Sequence, residues 1–244
     1  MRADGASGSP SAMEFGRPPG MFAAALIIAR KDLAIELRTR TAFLAALVFS
    51  LLAIVIFFFA WDPTAVGPLD LAPGVLWVIF SFSGLLGLHR SFGVEHVDRA
   101  FDALLGAPVD RESIYLGKAL ANLVFVLAVQ AVAIPAVVLF YNLPLNAEQA
   151  VTLGAIAVLA AIGLVAVGTL FSAMTSNTRL TELLLPVLSL PFFVPIVVPA
   201  AQATARILAG RPADEAVGWL KLLLAFDILF VAACTLAFPH TVED

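Results

Sequence analysis

Charge is scarce in this chain. Charged residues make up 13% of the 244 positions, against roughly 25% in an ordinary soluble domain. The net charge of −4 gives no footprint for nucleic acid. Cysteine is scarcer still: Cys234 stands alone inside an apolar run, so no disulfide framework, cysteine-zinc site or C-x-x-C-H haem attachment can be built, and the residue reads as small and apolar. No G-x-x-x-x-G-K-[ST] phosphate loop occurs, which excludes nucleotide binding of the P-loop kind and predicts a chain that is not an enzyme by itself.

Hydrophobic residues, by contrast, reach 61%. They fall into runs at 41–60, 71–88, 119–140, 150–174, 183–203 and 217–238. A hydrocarbon core of about 30 Å needs roughly 20 helical residues, and every run is near that length. None alternates with period two, so a β-barrel is excluded. The expected fold is all-α, six transmembrane helices in one polytopic domain over 21–244. Residues 1–20, rich in Gly, Pro and Ser and without periodicity, are expected to be a disordered extension and not a signal peptide. Met21 stands where the patterned chain begins.

Basic residues set the expected orientation. Arg30, Lys31, Arg38 and Arg40 precede the first span, Arg90, Arg99, Arg111 and Lys118 lie between the second and third, and Arg179 follows the fourth. The loops WDPTAVGPLD and YNLPLNAE carry none. Arg206 and Arg211 break the pattern, and Lys221 just inside the last span reads as a snorkelling side chain. Both termini are therefore expected in the cytoplasm.

Two segments are helical but amphipathic. In the first, Phe22, Leu26, Ala29, Leu33 and Leu37 form a stripe, predicting a helix in the membrane interface, with Glu36 and Arg40 paired at i,i+4. The second runs from His89 to Phe125. Val94, Val97, Phe101, Leu104 and Leu105 share one face, while Glu95, Asp98, Arg99 and Asp102 share the other. Pro108 stops this helix, and Asp110 is the expected N-cap of the next. A short helix joined rigidly to two spans is what a cytosolic motor needs to push on a membrane bundle. Val97, Phe101, Leu104 and Leu105 are expected to dock in a groove of such a motor, with Glu95 and Asp102 at the rim.

This segment resembles the E-x-x-x-G-x-L-E-x-L-L-x-x-P-x-x-R-x-x-I-x-L-G-K stretch of ABC-exporter permeases, and more closely that of the haem exporter B (CcmB) family. Glu95, Leu104, Leu105, Pro108, Ile114, Leu116, Gly117, Lys118 and the following ALAN carry the match, with RKDLAIELRTR ahead of the first span. Arg99 and Phe101 replace the motif's Gly and Leu, and Asp102 replaces its Glu. The resemblance implies a plasma-membrane permease subunit in cytochrome c biogenesis. It implies a separate CcmA-like ATPase that binds the ATP, CcmC-like and CcmD-like membrane partners, a second copy of the chain as a further partner, and haem as cargo. The alternatives are the permease of another ABC exporter for a drug, lipid or polysaccharide, and a non-transporting scaffold that couples an ATPase to release of a haem chaperone.

His89, His96 and His240 all map to the expected cytoplasmic side, which removes them as haem ligands at the outer face. No cofactor or metal is expected on this chain. Polar residues inside spans are costly and mark contacts or paths. Asn122 and Gln130 in the third span, Glu182 at the start of the fifth and Asp227 in the last are the candidates. Gly154, Ala161 and Gly168, seven apart, suggest a small-residue seam. Pro186, Pro191, Pro195 and Pro199 predict a fifth span that is kinked up to about Pro191 and then broken or re-entrant.

Overall fold

The computed structural model describes residues 20–97, 109–175 and 181–241. Among them are seven helices and no strand: α1 Met21–Thr39, α2 Thr41–Ala60, α3 Pro68–Val97, α4 Arg111–Phe140, α5 Ala147–Thr175, α6 Thr181–Leu208 and α7 Ala213–Thr241. The six from α2 to α7 are long and apolar enough to cross a membrane. Helix α2 has the bounds of its apolar run, because Arg40 and the Trp61-Asp62-Pro63 sequence close it at either end. The other five outrun their apolar cores by several residues. Helical hydrogen bonding continues into the polar headgroup layer, where hydrophobicity no longer marks it.

Helices α3 and α5 form the interior and the others surround them. Trp77, Phe80, Ile79 and Leu88 of α3 are fully buried, as are Ile156, Ala160 and Leu164 of α5. Polar cross-links join the layers: Trp77 Nε1 donates to Thr204 Oγ1 of α6 at 3.0 Å, and Ser172 Oγ donates to the Leu88 carbonyl at 2.7 Å. Arg111 Nη1 donates to the Pro239 carbonyl at 3.2 Å. That bond places the start of α4 beside the end of α7, so one end of the bundle carries the last turn of α7, α1 and the entry to α4.

Helix α1 docks on the bundle through one face and leaves most of the expected apolar stripe exposed. Its buried residues are Ala24, Ala25, Ile28 and Ala29, packed on α4, while Phe22, Leu26 and Leu37 of the large-residue stripe stay exposed. Small side chains allow the closer approach, so they decide which face docks. Glu36 does not serve the local pair expected with Arg40. Its Oε1 accepts from the Phe43 N–H at 2.9 Å and caps α2 across the junction at Arg40, where the backbone is left-handed (φ 55°).

The fifth span is continuous, and the expected break after Pro191 does not occur. Four prolines remove four backbone donors, but α6 packs on α3, α5 and α7, and neighbouring helices keep a proline-containing span helical. The expected small-residue seam is also divided. Gly168 meets the Leu88 side chain of α3, Ala161 packs with Val126 of α4, and Gly154 faces open space.

Arg206 and Arg211, which broke the charge pattern, both have local partners. The Arg206 guanidinium lies 5.1 Å from the Trp219 ring centroid, and Arg211 pairs with Glu215 at 3.3 Å.

Candidate functional site

The expected site residues fall in two regions: the connection between α3 and α4, and the polar groups inside the spans. Of the expected coupling residues, Glu95 and Val97 fall in the last turn of α3. Phe101, Asp102, Leu104 and Leu105 lie outside the described residues, as does Pro108. Helix α4 resumes at Arg111 with Asp110 in the N-cap position; Asp110 caps through its backbone carbonyl, not its side chain.

The first two turns of α4 are anchored on every side. Ser113, Ile114, Tyr115, Gly117 and Lys118 are buried. The Tyr115 hydroxyl donates to the Ala166 carbonyl of α5 at 2.9 Å, and its ring lies 5.5 Å from that of Phe238 in α7. Gly117 faces α1 so closely that a Cβ there would stand 2.7 Å from the Ala25 carbonyl oxygen and 2.7 Å from Ile28 Cβ. The next residue, Lys118, has no solvent exposure and lies 3.3 Å from Asp32 Oδ2 of α1. The Gly-Lys pair therefore holds α1 against α4: the glycine gives the space and the lysine gives the bond. Sequence reasoning counted Lys118 as a loop charge and missed Asp32. The available signal was a lysine directly ahead of an apolar run, which must find an anion or be dragged into hydrocarbon.

The intramembrane candidates do not converge. Asn122 Nδ2 donates to Thr169 Oγ1 of α5 at 3.0 Å, a buried interhelical bond. Gln130 is buried one face away, and neither its amide nitrogen nor its oxygen meets a protein partner among the described residues. Glu182 falls in the first turn of α6. Asp227 is 3% exposed, and both carboxyl oxygens lack a partner among the described residues. Its Oδ1 fills the notch left by Gly163, where a Cβ would come within 2.5 Å.

Residues 23–244 match the CcmB protein family. The chain belongs to that family. "Heme exporter protein B" of Paracoccus denitrificans is 33% identical over 207 residues, covering 85% of this chain and 89% of the relative. The protein of the same name from Rhodobacter capsulatus is 28% identical over 205 residues, 82% and 91% of the two chains. That of Bradyrhizobium diazoefficiens is 29% identical over 181 residues, 74% and 81%. The family match covers all the spans, the docked α1 and the α3–α4 connection, and makes the chain a multi-pass membrane protein.

Proposed function

We propose that the chain is the permease subunit of an ATP-driven complex that exports or hands over haem for c-type cytochrome biogenesis in the bacterial plasma membrane, with both termini cytoplasmic. The family match over residues 23–244 carries this reading. The ATP is bound by a separate CcmA-like ATPase, since the chain has no phosphate loop of its own. CcmC-like and CcmD-like membrane proteins, and a second copy of this chain, complete the proposed assembly.

The coupling element is the connection from Glu95 to Leu105. Val97, Phe101, Leu104 and Leu105 enter a groove of the ATPase, with Glu95 and Asp102 at its edge. Supporting this is the anchorage just beyond it. A displacement delivered to the entry of α4 passes to α7 through Arg111, to α5 through Tyr115 and to α1 through Lys118. A rigid entry converts a push on a short segment into movement of several helices together.

Purification of the chain from its native membrane tests the reading. The expected result is copurification of an ABC-type ATPase with haem-handling membrane proteins, and a haem absorbance band in the assembled fraction. An ATPase recovered with drug- or polysaccharide-export proteins instead would replace the haem assignment.

A further inference from the structure

A groove of about 700 Å³ opens sideways from the bundle between α5 and α7. Leu159 and Ile162 form one wall, Leu224, Ile228 and Val231 the other, and Phe22 of α1 borders it. Asp227 is the one ionisable group in this lining. It stands at the midpoint of α7, a helix of 29 residues, so it lies about 20 Å from either end at 1.5 Å per residue. From Leu224 to Leu236 the groove follows about 18 Å of that helix toward the end bearing α1 and the entry to α4.

We propose that this groove seats a transmembrane helix of a partner subunit, and that the partner helix carries a hydrogen-bond donor at mid-membrane depth for Asp227. The inference rests on the reading that the chain works within a membrane complex. Both oxygens of a carboxyl buried in the middle of a span lack a partner among the described residues, an arrangement that is costly when it persists in hydrocarbon. An acyl chain would suit the aliphatic walls but brings no donor to that depth, because lipid polar groups stay at the interface. A helix can bring a Ser, Thr, Asn, Gln, His, Lys or Arg side chain to any depth, and the groove is long enough for about 12 of its residues. Asp227 Oδ1 sits beside Gly163, so meeting the partner's donor requires the carboxyl to rotate out of that notch toward the groove.

The test replaces Ile228, an exposed groove residue, with photo-crosslinkable p-benzoyl-phenylalanine in membranes containing the native partners. A second chain carries the same probe at Leu52, exposed on α2 away from the groove. The expected result is an adduct from position 228, not from 52, mapped to a transmembrane segment with a donor side chain in its middle third. Asp227→Leu and the smaller Asp227→Ala should each lower its yield about fivefold, as loss of one interhelical hydrogen bond implies. Asp227→Asn, which still accepts, should retain most of it. Adducts to lipid only, to another copy of this chain or to a segment without a donor would overturn the inference, as would an undiminished yield in both Asp227→Leu and Asp227→Ala. If the ATPase copurifies but position 228 gives no protein adduct, this inference alone fails. If no ATPase copurifies, the complex it rests on fails too.

Discussion

Lys118 Nζ and Asp32 Oδ2 lie 3.3 Å apart, joining α4 to α1 across 86 residues of sequence. The lysine side chain has no solvent exposure and the aspartate only 17%, so the pair lies between a surface ion pair and a fully buried one. Exposed pairs contribute little, whereas breaking a buried pair costs about 3–5 kcal/mol. Asp32→Ala should therefore lower stability by about 2 kcal/mol, between those limits. Lys118→Met, which removes the charge and keeps the volume, should cost less. Thermal unfolding in detergent checks the order; a greater loss in Lys118→Met would contradict the account of the pair.

Gly117 sets the distance between the same two helices. A methyl group there meets backbone, not a flexible side-chain tip, so Gly117→Ala should cost about 1–3 kcal/mol through overpacking. Gly154→Ala, with nothing within 4 Å of the new carbon, should be close to neutral. Cysteine labelling at position 25 in a Cys234→Ala background should accelerate in the Gly117→Ala variant, as α1 is forced off α4. Unchanged labelling would place the contact elsewhere.

The number and position of the spans were legible in the sequence because lipid imposes a length on every apolar run. What depends on contacts between distant segments was not. The face of α1 that packs on α4 was not legible, because Ala25 and Ile28, which meet Gly117, stand outside the large-residue stripe. The partner of Asn122 could not be read, since Thr169 is 47 residues away on another helix. Four prolines suggested a broken α6, because local donor loss is visible in sequence and support from α3, α5 and α7 is not. Asp227 was legible as an anomaly. The notch at Gly163 that accommodates it was not.

The orientation proposed from the basic residues is checked by reporter fusions. Fusions after Asp70, Pro144 and Gly210 should report the outer side, and fusions after Val97 and Asn177 the cytoplasm. Arg206 and Arg211 should not invert this, because Trp219, Gln202 and Glu215 engage them locally. A cytoplasmic signal after Pro144 would overturn the arrangement.

The coupling segment is tested by Phe101→Ala combined with Leu105→Ala. Anchors buried at the centre of an interface are worth roughly 2 kcal/mol or more each, so the double variant should release the ATPase while the protein stays in the membrane at its normal level. Undiminished copurification would remove this segment as the contact with the motor.

The haem-pathway assignment is tested most directly by haem staining of c-type cytochromes in cells that lack this chain. Mature cytochrome c should disappear on deletion, while the apoprotein is still made. The wild-type chain should restore it, and a chain with Phe101→Ala and Leu105→Ala should not. Normal levels of haem-stained cytochrome c in the deletion cells would contradict the proposed function.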